Sequence, residues 1–400
     1  MDVFFREWDR RGPGETRDIA RAGALAGVLS LLAPDAPVLT VVGSKGKGTA
    51  ATYASAFLAA AGLRVCTVTS PALRSNRERI RVDGRAVSEA ELASLADALD
   101  EAVAALPPPS GGYLSPSGLF TLAGVLHARR TGADAIVLEA GMGGRSDEAA
   151  LFTPDVAAIT PVLLEHAGVL GGTPAEIAAE KLGVAGPDTV VLSAPQSPEV
   201  AEVLGGVERV EEGSGGIPPE LLPGGLGRVS GELGVAAARR LPGATEPPGA
   251  VLREVLASVA LPGRLSMHDV PGSATRLLVD AAIDRTGIAA ALEAARRAWG
   301  TIDHAVVCLP DHKDLDGAVA ELGVLPVTFV RLPLPHLRFT RALPRGWDVV
   351  DADAITPESL ATLGYNLVVL GTGYFTGFVL DVVDAATERL FTTSAARRRS

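Results

Sequence analysis

The chain has 400 residues, 47% of them apolar, and carries a formal net charge of −11. This length is ample for a buried core and suggests two domains, and the acidic balance argues against a nucleic-acid-binding surface. The first residues lack the apolar core of a signal peptide and no apolar run could span a bilayer, so we expect a cytoplasmic protein without membrane contact. Cys66 and Cys308 lie far apart without metal-ligand spacing, which argues against a disulfide framework or a zinc site.

Short apolar strands alternate with alanine-rich helices between about residues 37 and 195. This alternation is typical of a parallel sheet covered on both faces and predicts an α/β fold. The predicted strands are 38–42, 64–69, 135–139, 156–160 and 189–193. A capping box formed by Ser88 and Glu91 predicts a helix through Leu106, and a further helix is predicted over 118–130.

The first predicted strand runs directly into a glycine-rich turn, Gly43-Ser-Lys-Gly-Lys-Gly-Thr49. Glycines allow successive backbone N–H groups to face inward, and Lys47 supplies a charge for the outer phosphates of a nucleotide. Thr49 is placed to bind Mg²⁺, and a helix is predicted from Ala50 onwards. We interpret the turn as an ATP phosphate loop, although Gly48 separates Lys47 from Thr49 and departs from the generic spacing. The alternative is a tight strand-to-helix connection without a ligand.

A carboxylate follows the strand predicted over 135–139. Glu139 ends this strand and precedes a glycine-rich turn, so it is a candidate Mg²⁺ ligand opposite the phosphate loop. The alternative is a glutamate that caps the turn or pairs with Arg145. Because ligands bind at the carboxyl ends of parallel strands, we expect the phosphate loop, Ser70, Glu139 and the segment 161–166 to converge on one edge of the sheet.

A third candidate group combines Glu165-His166 with Lys181, a short distance further along the chain. Alone, His166 would more often be a surface or core residue, and Lys181 a solvated helix residue. Beside a phosphate loop, both become candidate site residues. In phosphoryl transfer to a carboxylate, the nucleotide oxygens and the incoming acid carry negative charge that must be screened.

Residues 205–250 are rich in Gly and Pro, and we predict irregular structure and a linker there. A second α/β unit follows, with predicted strands 275–279, 304–308, 327–331 and 367–370 and predicted helices 288–299 and 315–322. We therefore expect an N-terminal domain over 1–250, a linker over 251–263 and a C-terminal domain over 264–400. The basic residues 397–399 are interpreted as part of a solvated tail.

Two residues of the second unit are candidates for nucleotide binding. Arg264 lies in a rigid turn near the domain junction, where it could clamp phosphate from across the cleft or tie the domains together through a carboxylate. Asp280 ends a predicted strand, where it could hold a ribose hydroxyl or cap the following helix.

The motifs, in their order along the chain, resemble those of folylpolyglutamate synthase and dihydrofolate synthase, within the Mur ligase superfamily. The resemblance extends from about residue 27 to residue 378. Its strongest parts are Val42-Gly-Ser-Lys-Gly-Lys-Gly-Thr49, Thr69-Ser-Pro-Ala-Leu73, Asn76-Arg-Glu-Arg-Ile-Arg-Val-Asp-Gly84, Leu138-Glu-Ala-Gly-Met-Gly-Gly-Arg145 and Glu180-Lys-Leu-Gly183. Weaker parts are Pro262-Gly-Arg-Leu265, Asp311-His-Lys-Asp314 and Leu370-Gly-Thr-Gly-Tyr-Phe-Thr-Gly377. The resemblance implies a P-loop-type parallel-sheet ATPase domain followed by a smaller Rossmann-like α/β domain.

The resemblance also implies a mechanism in which ATP phosphorylates a carboxylate and an amine attacks the acyl phosphate, forming an amide. It implies that Lys47, His166 and Lys181 act in catalysis and that Lys181 is carbamylated, which turns a cation into an anion that can hold a second Mg²⁺. The implied ATP-binding residues are Gly43, Ser44, Gly46, Lys47, Gly48, Thr49, Arg264 and Asp280. The implied magnesium ligands are Thr49, Ser70, Glu139, His166 and Lys181.

Several positions depart from the family pattern. Where the family has Asp-Gly-Ala-His-Asn-Pro, near its incoming amino acid, this chain has Asp280-Ala-Ala-Ile-Asp-Arg285. Ala72 replaces a histidine, Ser117-Gly118 replaces a Phe-Glu pair near the pterin-side pocket, and the adenine-side asparagine is missing near 231–235.

These departures leave three hypotheses open. The first is a ligase of a small-molecule carboxylate and an amine or amino acid, with altered substrate pockets and a role in specialised biosynthesis. The second is an ordinary folate enzyme that adds glutamate. The third is a non-catalytic ATP-binding partner subunit, and the sequence leaves open whether the chain acts as a monomer or with another subunit.

Overall fold

Two helix-covered sheets and one two-stranded sheet make up the computed structural model, which describes residues 2–225 and 227–393. The strands are β1 (Thr16–Arg17), β2 (Val38–Val42), β3 (Val65–Val68), β4 (Ile80–Val82), β5 (Arg85–Ala86), β6 (Gly112–Tyr113), β7 (Ala135–Glu139), β8 (Val156–Ile159), β9 (Val190–Ser193), β10 (Glu208–Arg209), β11 (Ser266–Asp269), β12 (Arg276–Asp280), β13 (His304–Cys308), β14 (Val327–Arg331), β15 (Asp348–Asp351) and β16 (Asn366–Gly371).

The α-helices are α1 (Arg6–Arg10), α2 (Ile19–Val28), α3 (Lys47–Ala60), α4 (Glu89–Ala104), α5 (Pro116–Thr131), α6 (Ala167–Leu170), α7 (Pro174–Leu182), α8 (Pro198–Leu204), α9 (Gly227–Arg239), α10 (Gly249–Ala257), α11 (Arg285–Trp299), α12 (Leu315–Leu322), α13 (Pro357–Thr362) and α14 (Gly373–Val382). Short 3₁₀ helices lie at Asp2–Phe4, Asn76–Arg79, Glu148–Leu151, Pro219–Leu221 and Ala352–Ala354.

The first large sheet has eight strands in the order β10-β9-β8-β2-β7-β3-β4-β5. Its members pair in parallel, except where β4 joins β3 and β5 antiparallel. The second has six strands in the order β11-β12-β16-β13-β14-β15, with only the β11–β12 pair antiparallel. The predicted α/β class is therefore confirmed, and the adjacent strands β8, β2 and β7 bring their carboxyl ends to one edge.

The strand predictions succeed where the strand is buried on both faces. The predicted bounds of 38–42, 135–139, 304–308 and 327–331 are those of β2, β7, β13 and β14. Both halves of the Ser88–Glu91 capping box are present at the start of α4. Continuous apolar runs identify such strands because both sheet faces are covered by helices.

The prediction of irregular structure over 205–250 is wrong for α9, a helix that packs closely on α3. A Cβ atom at Gly234 would lie 2.2 Å from the carbonyl oxygen of Ala50, so a side chain there would force the helices apart. The glycines that suggested a loop instead permit close approach of two helix backbones.

The first half of the predicted linker, 251–263, is helical. Residues up to Ala257 belong to α10, and Val255 and Leu256 are buried in the apolar core that α3 and α9 form on the first sheet. The first unit therefore extends past residue 250. The periodic apolar residues of α10 outweigh its flanking prolines and glycines because they have a core to cover.

The C-terminal end of the described chain returns to the first sheet. We call residues 384–393 the C-terminal strap. The backbone N–H of Ala86 donates to Glu388 O at 2.8 Å, that of Leu390 donates to Gly84 O at 2.9 Å, and Phe391 is buried in the first unit. The described end of the predicted C-terminal domain, 264–400, therefore contacts the first unit, and the predicted basic tail lies outside the described residues.

Cys66 and Cys308 are free thiols, and burial raises the pKa of each to about 12. Over residues 2–225 and 227–393, the helices are all too short or too polar to cross a lipid bilayer.

The close α3–α9 contact yields a stability prediction. Gly234→Ala places a methyl group against Ala50 O, so we expect a loss of about 1–3 kcal/mol in the free energy of unfolding, measured by urea titration. Gly249→Ala is the matched control, because a Cβ atom there meets nothing within 4 Å. Equal stability of the two variants would contradict the packing argument.

Candidate active site

The phosphate loop leaves β2 at the centre of the first sheet, and its glycines are required by close contacts. Gly43 has φ of 136° and Gly46 has φ of 83°, both in the region that favours glycine. A Cβ atom at Gly43 would lie 1.9 Å from Thr160 Oγ1, and one at Gly46 would lie 2.1 Å from Ser230 Oγ. Helix α3 begins at Lys47, so its first-turn N–H groups lack intrahelical partners and can face an anion.

Two lysines converge on this loop. Lys47 Nζ donates to Gly43 O at 3.0 Å, and Lys181 Nζ donates to the same oxygen at 2.8 Å. Lys181 also donates to Glu165 Oε1 at 3.0 Å. Its side chain is 1% exposed, and burial lowers the pKa of Lys181, with Glu165 opposing and Lys47 reinforcing that shift.

Glu139 lies opposite the first turn of α3. It is buried, its Oε2 accepts a 2.9 Å hydrogen bond from the backbone N–H of Ser70, and a Cβ atom at Gly48 would lie 3.4 Å from Oε2. Burial raises the pKa of Glu139, while the charges of Lys47 and Arg264 oppose that shift. Glu139 thus faces the phosphate loop. Arg145 is the alternative partner of Glu139 that the sequence suggests, and its backbone N–H instead donates to Glu180 O at 2.9 Å.

His166 stands at the start of α6 with φ of 48°. Desolvation lowers the pKa of His166, the Glu165 carboxylate opposes the shift, and the charges of Lys181 and Lys47 add to it. The imidazole therefore belongs to the same charge cluster as the two lysines.

Arg79 is a member of the site that sequence reasoning did not select, although it lies within one of the motifs. Its Nη1 donates to Ser70 Oγ at 3.2 Å, and its guanidinium lies 4.9 Å from the ring centroid of Phe120. Burial lowers the pKa of Arg79. Its position beside Ser70 depends on the antiparallel strand β4, which the predicted elements did not include.

Ser230 is a second residue that sequence reasoning missed. Its hydroxyl is buried against Gly46 of the phosphate loop and has no hydrogen-bond partner among residues 2–225 and 227–393. Because Ser230 lies on α9, in the segment predicted to be irregular, no signal in the sequence pointed to it.

The second unit contributes from across a cleft. Asp280, at the end of β12, accepts a 2.7 Å hydrogen bond from the backbone N–H of Leu265. Burial raises the pKa of Asp280 to about 6, with Arg264 opposing the shift. Arg264 acts on the carboxylates of both Glu139 and Asp280, so its charge lies between the two units.

Two positions that depart from the family pattern, Ile283 and Asp284, also belong to the second unit. Asp284 caps α11 by accepting a 2.9 Å hydrogen bond from the backbone N–H of Gly287. Its Oδ2 also lies 3.5 Å from Lys45 Nζ of the phosphate loop. Ile283 packs against the apolar core beneath α11. Ile283 therefore makes an apolar contact where the family pattern has a histidine, and Asp284 forms an ion pair where the family pattern has an asparagine.

The structure thus brings together the selected residues Lys47, Glu139, Ser70, His166 and Lys181, with Arg264 opposite. Within the described part of the chain, no three His, Cys, Asp or Glu side chains cluster as a metal centre would require. A magnesium site here would need the hydroxyls of Thr49 and Ser70 beside Glu139. Oxygen donors of this kind suit Mg²⁺, which commonly takes its remaining ligands from phosphates and water.

Comparison with known proteins gives the same family as the motifs. No family model matches the chain. It is 33% identical to a dihydrofolate synthase/folylpolyglutamate synthase of Mycobacterium tuberculosis over 212 residues, which are 49% of this chain and 43% of the relative. It is also 33% identical to the Escherichia coli dihydrofolate synthase/folylpolyglutamate synthase over 167 residues, 42% of this chain and 38% of the relative. The matched part thus spans about two fifths of these relatives.

Solved structures extend the likeness to the whole fold. The chain superposes on Mycobacterium tuberculosis folylpolyglutamate synthase complexed with ADP with a TM-score of 0.81, covering 96% of this chain and 99% of that one at 23% identity. It superposes on a folylpolyglutamate synthase complexed with AMPPCP and folate with a TM-score of 0.76, covering 94% and 98% at 21% identity. The chain therefore shares the fold of these folylpolyglutamate synthase structures. Over about two fifths of their length, dihydrofolate synthase/folylpolyglutamate synthases are also similar to it in sequence, and these are the proteins that the motifs resemble.

The buried acid of the second unit gives a pH prediction. The pKa of Asp280 rises from an ordinary 3.8 to about 6, so its stabilising contribution is complete below pH 3.8 and is lost as pH rises through about 6. We therefore expect Asp280→Asn to become more stable than the wild type above that pH, by about 1–3 kcal/mol in urea unfolding at pH 8. Asp35→Asn, at an exposed site, is the control for charge removal. Parallel stability–pH curves for wild type and Asp280→Asn would contradict the assignment.

Proposed function

We propose that the protein is an ATP-dependent ligase that joins a carboxylate to an amine through an acyl phosphate. The observation that carries the proposal is the convergence of Lys47, Lys181 and Glu139 on one phosphate loop. Arg264 and Asp280 face that loop from the second unit. Activating a carboxylate with ATP requires fixed positive charge around the outer phosphates and a second wall that brings the acid and the amine to the reacting atom.

The residues have separate roles in this proposal. Lys47 and the first turn of α3 hold the outer phosphates while the γ-phosphoryl group passes to the substrate carboxylate and ADP leaves. Arg264 clamps a phosphate from across the cleft, and Asp280 accepts a hydrogen bond from the ribose. The amine then attacks the acyl carbon, phosphate departs, and a proton is lost from the new amide nitrogen.

Magnesium fits the donor set and belongs to the proposal. Thr49, Ser70 and Glu139 would hold one ion, and His166 with a carbamylated Lys181 would hold another. Bound Mg²⁺ would screen the negative charge of the nucleotide oxygens and the incoming acid. The low pKa that burial gives Lys181 favours the neutral amine, which is the form that reacts with carbon dioxide.

The named relatives favour folate-type substrates over altered ones. The similar proteins are dihydrofolate and folylpolyglutamate synthases, and one structural neighbour is complexed with folate, which supports addition of glutamate to a folate or to dihydropteroate. The altered-substrate hypothesis rests on the departures from the family pattern, among them Ala72, Ser117-Gly118, Ile283 and Asp284. A non-catalytic subunit is disfavoured because the charged residues of the candidate site are assembled rather than lost.

The test is a phosphate-release screen with ATP, Mg²⁺ and pairs of acids and amines, including dihydropteroate, tetrahydrofolate and glutamate. Turnover that depends on a folate and glutamate together supports the proposal, and turnover only with another pair would transfer support to the altered-substrate hypothesis. Lys47→Ala should reduce the rate at least about a hundredfold, because the outer phosphates lose their nearest fixed charge. Arg240→Ala, which removes an exposed charge paired with Glu208, is the control. ATP binding without turnover on any pair would contradict a ligase.

Carbamylation of Lys181 gives a separate prediction. In bicarbonate, we expect peptide mass spectrometry after chemical trapping to find an added carboxylate group on Lys181 but not on half-exposed Lys45. Lys181→Ala should lose turnover, and short-chain carboxylates that fit the vacated space should restore part of it. An unmodified Lys181 in an active preparation would rule out the carbamate. Among the described residues, the ion pair with Glu165 would then be the anionic contact of Lys181.

A further inference from the structure

The loop that carries Ser70 is fixed at both ends by hydrogen bonds of Ser70. It connects β3 to β4, and at its start the Ser70 amide donates to Glu139 Oε2 at 2.9 Å. At its end, Arg79 Nη1 donates to Ser70 Oγ at 3.2 Å. The position of the Ser70 hydroxyl beside the phosphate loop therefore depends on the conformation of residues 70–79.

A single buried carboxylate fixes that conformation. Glu78 is 2% exposed, and it accepts backbone hydrogen bonds from Leu73 at 3.1 Å, Arg74 at 3.3 Å and Ser75 at 3.1 Å. Its Oε1 also accepts a 2.7 Å hydrogen bond from Thr387 Oγ1 of the C-terminal strap. Glu78 thus closes the loop locally and ties it to a residue 309 positions later in the chain.

The same loop packs tightly against the second unit. Leu73 packs on the apolar core of the six-stranded sheet, and a Cβ atom at Gly377 of α14 would lie 2.2 Å from Leu73 O. Arg74 pairs with Asp381 at 3.1 Å and with Asp384 at 2.9 Å. These contacts leave the loop little freedom to move independently of α14 and the strap.

We propose that Glu78 and Thr387 are positioning residues, which set Ser70 against Glu139 and the phosphate loop only while the C-terminal strap is docked. The Thr387 hydroxyl links the strap to the loop, because it donates a hydrogen bond to the carboxylate that organises the loop. Part of the inference rests on the proposed function, since it assigns Ser70 a role in Mg²⁺-dependent turnover. The conformational part rests on the contacts alone.

Thr387→Val tests the link, because it keeps the side-chain shape and removes only the donor. A buried carboxylate that loses one of its donors holds the loop less tightly. In hydrogen–deuterium exchange of the ligand-free protein, we expect the amides of residues 72–79 to exchange on the order of tenfold faster than in the wild type. Thr387→Ser restores the donor and should restore slow exchange.

The neighbouring residue supplies the control. Glu388→Gln removes an exposed ion pair between the strap and Arg77 and should leave loop exchange unchanged, because such pairs contribute little. Wild-type exchange in Thr387→Val would overturn the proposal, as would equal acceleration in Glu388→Gln. If Thr387→Val does not fold, Glu78→Gln tests the same hydrogen bond by changing its acceptor. Unchanged loop exchange in Glu78→Gln would also overturn the proposal.

Turnover provides the second readout. Thr387→Val should raise the Mg²⁺ concentration for half-maximal ATP consumption several-fold with a smaller change in kcat, and Thr387→Ser should return it to the wild-type value. A fall in kcat alone, with an unchanged Mg²⁺ requirement, would overturn the link to Ser70. An inactive wild type would count against the proposed ligase function, and loop exchange would still decide the positioning role.

Discussion

Two ammonium groups donate to one carbonyl oxygen at the centre of this molecule. Lys47 and Lys181 both reach Gly43 O, and Glu165 neutralises only one of the two charges. Burial lowers the pKa of Lys181, and repulsion from the Lys47 charge adds to that shift. A polyphosphate beside the loop would neutralise the excess positive charge, which makes the site complementary to a nucleotide.

That arrangement depends on backbone geometry more than on side-chain choice. Gly43 and Gly46 pass so close to Thr160 and Ser230 that any side chain would displace the loop. The adjacent strands β8, β2 and β7 bring the loop, Glu139 and the segment leading to His166 to one edge. Helix α9, packed tightly on α3, holds the loop from the other side. The tight packing around the loop therefore supports a fixed array of donors.

The sequence predicted those parts of the fold that local patterns determine. Continuous apolar runs identified β2 and β7 with their observed bounds, and the Ser88–Glu91 capping box identified the start of α4. The motifs also selected Glu139 and Lys181, which the structure places at the phosphate loop. These successes share a cause, since burial on both faces or a capping side chain leaves a mark within a few residues.

The sequence could not predict contacts that join distant segments. The glycines of α9 suggested a loop because their purpose, close approach to α3, lies outside their own segment. Arg79 and Ser230 reach the site through elements that local patterns did not identify. Thr387 has no local signal at all, because its partner, Glu78, is 309 positions away.

The return of the chain end to the first sheet has a consequence for biosynthesis. Strand β5 is an edge strand, and the residues that cover it, around Glu388 and Leu390, are synthesised after the whole second unit. An uncovered strand edge is a template for pairing with other chains. The first unit therefore keeps this strand edge uncovered until the second unit has been synthesised.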